Sequence, residues 1–380
     1  MIYLDNAATS FPKPKTVLDE LGRCSKLIGA NPGRGQYKMS LEAGRVIFEA
    51  RQALARLLGV GNSADIAFTA NATEALNLAI KGWVRDGDTV VTTSIEHSSV
   101  YRPLEYLARN YGVKVLKCSN LPNGDLDLSD LKKLVDKTVR LVVVTHASNV
   151  IGNILPIGDI AEIAHARSVP LLVDAAQTIG SVPLSVEETG IDMLAFTGHK
   201  ALLGPQGTGG LFISPEMTIT ELKQGGTGSS SKEGQPTTRP DRYESGTPNT
   251  WGIGGLGAAA RFLLETTIEK VFREEQRKIE MLIEGLNRIP GVRTYGPAAG
   301  NPRVALVSLL IKSVDPRRTA FLLDKHYGIA ARAGFLCAPE AHRLLGTYST
   351  GTLRLSPGYF STDEDIEAAI KAVSELAQGS

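Results

Sequence analysis

Cysteine is scarce in this chain: 380 residues hold only Cys24, Cys118 and Cys337. They form no C-x-x-C pair and no even framework, which excludes disulfide staples and a zinc knuckle and fits a reducing compartment. The six histidines (His97, His146, His165, His199, His326 and His342) never take an H-E-x-x-H or similar spacing, so no metal is expected. No apolar run is long enough to cross a bilayer, and the opening "MIYLDNAATS" lacks a basic stretch followed by an apolar one. A cytoplasmic protein with no membrane partner is therefore expected. Charge of either sign is not in excess: 41 Lys and Arg stand against 40 Asp and Glu, a net +1. No global field draws nucleic acid or anionic lipid, and any charged ligand must be held locally.

What is present is alternation. Ser40 is placed to cap a helix whose apolar positions Ala43, Val46, Ile47, Ala50, Leu54 and Leu57 recur at three and four. Then come the short runs "DIAFT", "DTVVTT", "VKVLKCS", "RLVVVTH", "PLLVDAA", "DMLAFT" and "GGLFIS", most of them separated by helical patterns such as "RPLEYLARNYG". This β/α order predicts a mainly parallel sheet covered on both faces. The Gly-, Ser- and Pro-rich span 225–250 reads from composition as a solvated linker. Helical patterns resume near residue 257, and "RVALVSLLI", "GTLRLSPG" and a last helix from Thr362 complete what looks like a smaller α+β unit.

Ligands of open α/β sheets bind beyond the carboxyl ends of the strands. In those places the sequence puts Asn71 and Thr73, His97, Asn149, Asp174 and Gln177, and Thr197, His199 and Lys200. Lys200 sits on a Gly/Pro-punctuated turn in "AFTGHKALLGPQGTGG", where an amine can join a carbonyl cofactor; most lysines are simply solvated surface residues. Asp174 ends the buried run "LLVD", where a carboxylate needs a positive partner such as a protonated pyridine nitrogen. The plain alternative is a strand-end aspartate capping the next turn. "TANATEALNLAI" offers helix N–H groups and the Thr73 hydroxyl to a phosphate, though alone it is only a good N-cap. His97 can lie over a ring, though a histidine that opens a helix is more often only a polar surface residue, and Gln177, one helical step beyond Asp174, can donate to a phenolic oxygen.

The motifs "YLDNAAT", "NATEALNLA", "EHSS", "HASNVIG", "VDAAQ", "TGHK", "ESGTPN", "RAGFLCAP" and "GTLRLSPGYFST" occur in the order of one family. Through them the chain resembles the class V aminotransferases of pyridoxal-phosphate fold type I, and among these the cysteine desulfurases. The resemblance covers nearly the whole chain. It implies pyridoxal 5'-phosphate held by Lys200, with Asp174 and Gln177 at the ring nitrogen and phenolic oxygen and His97 stacked on the ring. Ala72, Thr73, Thr197 and His199 would bind phosphate, and Asn149 would lie near the ring and the substrate carboxylate. Thr247 would be a phosphate contact given to a partner subunit. The Gly-rich span then becomes a loop crossing a homodimer. Arg354 of "TLRLS" matches the family's clamp for the substrate carboxylate, a task that suits a guanidinium.

Cys24, in an apparent helix, and Cys118, at the end of a strand-like run, read as buried fillers. Cys337 differs, because Gly334 and Pro339 make its surroundings a loop and Arg332 brings a positive charge that favours thiolate and places it among the substrate-binding residues. "R-x-G-x-x-C-A" resembles the family branch with a short cysteine loop, the SUF-type and selenocysteine-lyase-like enzymes. Phe335 and Leu336 depart from it, standing where that branch often has histidines. The activity implied is conversion of L-cysteine to L-alanine, with the sulfur passing to Cys337 as a persulfide and then to an acceptor protein, as in iron-sulfur cluster assembly; L-selenocysteine is a second possible substrate. The alternatives are an aminotransferase or other lyase in which Cys337 is inert, and a catalytically silent subunit. A large unit over 15–255 and a small one over 256–380 plus 1–14 are expected.

Overall fold

The computed structural model describes residues 1–33, 35–121, 123–227 and 234–379. The chain opens with a short strand β1 (Ile2–Tyr3) and two helices, α1 (Lys15–Leu27) and α2 (Lys38–Leu58). Helix α2 buries Ala43, Val46, Ala50 and Leu54, the stripe its spacing predicts, and ends at Gly59 in the left-handed region (φ 66°). Ser40 does not cap it. Tyr37 holds the cap position, and the buried Ser40 hydroxyl donates to the Asn31 carbonyl at 2.9 Å from inside the first turn. A serine hydroxyl serves a nearby carbonyl as readily as a helix end, which composition cannot distinguish.

The seven apolar runs form one sheet: β2 (Ile66–Thr69), β3 (Thr89–Thr93), β4 (Lys114–Cys118), β5 (Val139–Thr145), β6 (Leu171–Asp174), β7 (Met193–Thr197) and β8 (Gly209–Ile213). Their spatial order is β2-β8-β7-β6-β5-β3-β4. Because β8 is antiparallel to both β7 and β2, six strands run one way and only β8 is reversed. The intervening helices are α3 (Ala72–Trp83), α4 (Ser98–Tyr111), α5 (Leu128–Leu134), α6 (Ile157–His165) and the short α7 (Val186–Thr189). Strands β5, β6 and β7 are buried almost end to end, as a sheet covered on both faces requires. Their alternate residues feed two separate apolar clusters, with Val142, Val144 and Val173 in one and Leu141, Val143 and Leu172 in the other.

Helix α8 (Thr250–Thr266) follows the Gly-rich span, of which residues 228–233 lie outside the described residues. The expected boundary at 255 falls inside α8, and Leu256, Ala260 and Leu263 of that helix pack into the main cluster. After α9 (Ile268–Asn287) come β9 (Val292–Tyr295), β10 (Val307–Ile311), α10 (Pro316–Tyr327), β11 (Ile329–Ala330), β12 (Arg332–Gly334), α11 (Pro339–Leu344), β13 (Thr352–Leu355) and α12 (Asp363–Gln378). Four of these strands make an antiparallel sheet in the order β12-β13-β10-β9. Strand β1 pairs in parallel with β11, and Leu4 enters the apolar cluster of α9, α12 and this second sheet. The start of the chain therefore packs with its end, which carries the adjoining Asp5–Thr9 segment towards the carboxyl edge of the large sheet.

Candidate active site

Since β2, β3, β5, β6 and β7 all run one way, their carboxyl ends meet at a single edge. There a cavity of about 220 Å³ is lined by Ala72, Thr73, His97, Ser99, Thr145, Asn149, Asp174, Gln177, Thr197, His199 and Lys200 among others. The nine residues proposed as cofactor ligands within one chain (Ala72, Thr73, His97, Asn149, Asp174, Gln177, Thr197, His199, Lys200) all stand on this wall. Thr247 does not. It is exposed and lines a separate cavity of about 380 Å³ with Arg51, Phe68 and Glu244.

Asp174 closes β6 and is buried. Among the described residues its carboxylate accepts one hydrogen bond, from the Ala176 backbone N–H at 3.0 Å, and burial raises its pKa against the opposing pull of that bond and of Lys200. Among the described residues no cationic side chain pairs with it, so an anion here awaits a positive partner. Lys200 follows β7 on a turn pressed against Gly180, a residue with φ 103° whose absent Cβ would lie 2.3 Å from the Ala201 carbonyl oxygen. Burial lowers the Lys200 pKa to about 8, with Asp174 acting in the opposite sense.

At the other end, Asn71 caps α3 by accepting from the Glu74 N–H at 3.0 Å, which leaves the first helical N–H groups facing the cavity. The Thr73 hydroxyl lies 2.7 Å from that of Ser99, which in turn lies 2.9 Å from His97 Nδ1. Burial holds both His97 and His199 down to about 4, with Lys200 adding to each, so both rings are neutral near pH 7. His199 Nδ1 is buried without a hydrogen-bond partner, and the Gln177 amide donates to the Ala7 carbonyl at 3.1 Å.

The second group of residues reaches this edge from β12, β13 and the start of the chain. Arg354 is buried, donates to Asp5 Oδ1 at 3.0 Å and to the Asn149 carbonyl at 3.0 Å, and keeps its Nε without a partner. Arg332 pairs with the same aspartate at 2.9 Å. The positive charge expected beside Cys337 is thus already engaged by Asp5, whose place in "YLDNAAT" gave no sign of it. Cys337 itself is exposed, whereas Cys24 and Cys118 are buried, and burial pushes their thiols up to about 11 and about 12. Cys337 lies close enough to Lys200 and Arg354 to act on the charge of both. Phe335 and Leu336 offer no proton donor; Phe335 packs edge-on to His342, with ring centres 5.6 Å apart.

Sequence reasoning passed over Glu96, although it belongs to "EHSS". It is fully enclosed, its Oε1 accepting from the Thr93 hydroxyl at 2.6 Å and the Thr145 N–H at 3.0 Å, while Oε2 has no partner. Burial pushes its pKa up to about 8, and the neighbouring Asp174 charge works in the same direction. A carboxylate beside a histidine in an otherwise apolar and hydroxyl-bearing stretch was the available signal.

A seven-stranded, mainly parallel sheet with lysine, aspartate and histidine gathered at its carboxyl edge defines a fold type I transferase. The aminotransferase class-V family profile matches residues 2–369, and the chain belongs to that family. Within it the chain falls among the cysteine desulfurases. It is 35% identical to a probable cysteine desulfurase of Methanothermobacter thermautotrophicus over 99% of this chain and 94% of that one. The apo structure of a cysteine desulfurase from Thermococcus onnurineus superposes with a TM-score of 0.94 at 34% identity, covering 100% of this chain and 95% of that one. A cysteine desulfurase from Escherichia coli gives 0.90 at 28% identity, covering 99% and 94%.

Proposed function

We propose that this chain is a pyridoxal-phosphate-dependent cysteine desulfurase, converting L-cysteine to L-alanine and carrying the sulfur away as a persulfide on Cys337. The observation that carries this reading is the meeting of a buried, cation-free Asp174, a pKa-lowered Lys200 and an exposed Cys337 at one sheet edge. The residues present suit the cofactor. Asp174 would pair with a protonated ring nitrogen, His97 would cover the ring and Gln177 would donate to the phenolic oxygen. Ala72, Thr73, Thr197 and His199 would hold the phosphate, and the unpartnered His199 Nδ1 is one free position. Bound there, the group supplies an aldehyde for the substrate amine and a ring that draws electrons from Cα.

The chain's own residues do the rest. Lys200 Nζ, with its pKa near 8, is partly neutral at physiological pH and can take up the Cα proton. Asp174 would hold a proton on the ring nitrogen. Arg354, fixed by Asp5, has its Nε left to bind the substrate carboxylate, and Asn149 stands beside it. Cys337 Sγ attacks the substrate sulfur: the S–S bond forms as the Cβ–S bond breaks, and the electron pair stays on the carbon, which takes a proton and leaves as alanine. The persulfide then passes to a sulfur-acceptor protein serving iron-sulfur cluster assembly, and L-selenocysteine fits the same route.

The reading includes a homodimer in which Thr247 of the partner subunit completes the phosphate site, since Thr247 is exposed and away from the cavity of its own chain. It also includes a large unit and a small one that meet at the site, with the end of α8 as the division. No helix among the described residues is long and apolar enough to cross a membrane. The free cysteines and balanced charge suit the cytoplasm, with no nucleic-acid or membrane partner. The test is to mix purified protein with L-cysteine, with and without added thiol, and quantify alanine and sulfide. With thiol, which reduces the persulfide, equimolar alanine and sulfide support the function; absence of alanine in both arms contradicts it.

A further inference from the structure

Leu336 and Cys337 both lie in the left-handed backbone region, with φ 51° and 59°. Residues other than glycine rarely adopt it, and two in succession persist only where their surroundings hold them. Three restraints are visible. The buried Leu336 and Ala338 side chains join the main apolar cluster on either side of the exposed Cys337. The Asn149 amide donates to the Leu336 carbonyl at 2.5 Å. Ser98, the first residue of α4, donates twice to the Cys337 carbonyl, from its N–H at 2.8 Å and from its hydroxyl at 2.7 Å.

Ser98 occupies a revealing position. Its neighbour His97 turns a ring into the cofactor cavity, and its other neighbour Ser99 holds that ring at Nδ1 and reaches the Thr73 hydroxyl. The same helix start therefore grips the cavity wall and the peptide of the exposed cysteine. We propose that Ser98 is a positioning residue, tying the strained loop of Cys337 to the turn that carries His97 and so fixing where the thiol stands relative to the substrate. This rests on Cys337 being the sulfur acceptor. The residue has no contact with the cofactor cavity of its own, so its loss should act on the cysteine loop alone.

The test compares Ser98→Ala, which removes the hydroxyl bond and keeps the N–H bond, with Ser98→Thr, which retains a hydroxyl. In the cofactor-loaded enzyme the alanine variant should keep the wild-type absorbance, the spectral change on adding L-cysteine and a KM within about twofold. Single-turnover persulfide formation should fall about five- to tenfold, the loss of one hydrogen bond. Amide hydrogen exchange over residues 335–338 should quicken, and threonine should restore both. Wild-type persulfide rates with unchanged loop exchange in Ser98→Ala would overturn the proposal. So would an equal loss of cofactor absorbance, which would make Ser98 a general structural residue. Failure of the underlying reading looks different: Cys337→Ser would then make alanine at the wild-type rate, whatever the exchange of the loop in Ser98→Ala.

Discussion

Glu96 is an acid that keeps its proton at neutral pH, because its carboxyl is enclosed and has the Asp174 charge beside it. With a folded pKa near 8 against an unfolded one near 4.5, the folded chain holds a proton that the unfolded chain has lost. The stability this confers is complete below the unfolded pKa and is lost as pH rises through 8. Glu96→Gln, which cannot ionise, should therefore gain on wild type between about pH 5 and pH 8, by a few kcal/mol at most. Thermal melts of both holoenzymes at the two pH values check it, and a constant difference would contradict it. Lys200→Ala should abolish borohydride-stable attachment of the cofactor and slow alanine formation by roughly 10²–10⁴-fold, as loss of a general base does. Persistence of a reducible adduct at the site would reassign the lysine. At this scale the sequence was most legible where chemistry concentrates: Asp174, Lys200 and His199 stood out because a charge or imidazole after a buried run needs a reason. Asp5 and Ser98 were silent, since their partners lie far away in the chain, and Glu96 showed only as a carboxylate beside a histidine, its burial being set by strands that the pattern does not bring together.

At the level of elements, the strands of the large sheet followed from pattern alone. All seven apolar runs became strands, because short apolar runs bounded by polar turns have few other ways to be buried. The reversal of β8 was not legible, since periodicity carries no direction. The turn between β7 and β8, which bears Lys200, depends on a close approach: Gly180 meets the Ala201 carbonyl where a Cβ would lie 2.3 Å away. Gly180→Val should push this turn outward, costing about 2 kcal/mol or more in stability through strain and overpacking, and weakening cofactor retention. Absorbance of the bound cofactor after gel filtration, read beside a denaturation curve, tests both parts. Unchanged retention would show that the turn is held from elsewhere. The N-terminal strand was expected to join the smaller unit, and β1 does pair with β11; what pattern could not give was that this pairing delivers Asp5 to two arginines at once.

At the level of the whole molecule, one chain gathers a lysine, an aspartate and nearly every residue proposed to contact the phosphate at one edge, yet leaves Thr247 exposed in a separate cavity. If two copies share each site, co-expressing a Lys200→Ala subunit with a Thr247→Ala subunit places both lesions at one site of the mixed dimer and leaves the other intact. About half of wild-type activity per mixed dimer is expected, and no recovery above either parent would contradict the shared site. The linker reading of the Gly-rich span came from composition, which cannot register a partner; only the ordered motifs pointed across an interface. Whether Cys337 receives the substrate sulfur is read from the intact mass of the holoenzyme after a pulse of L-cysteine without reductant. One added sulfur is expected on wild type, on Cys24→Ser and on Cys118→Ser. Cys337→Ser should show none, keep its cofactor spectrum and make alanine at least about a hundredfold more slowly. Undiminished alanine from Cys337→Ser, or sulfur added to it, would contradict the claim.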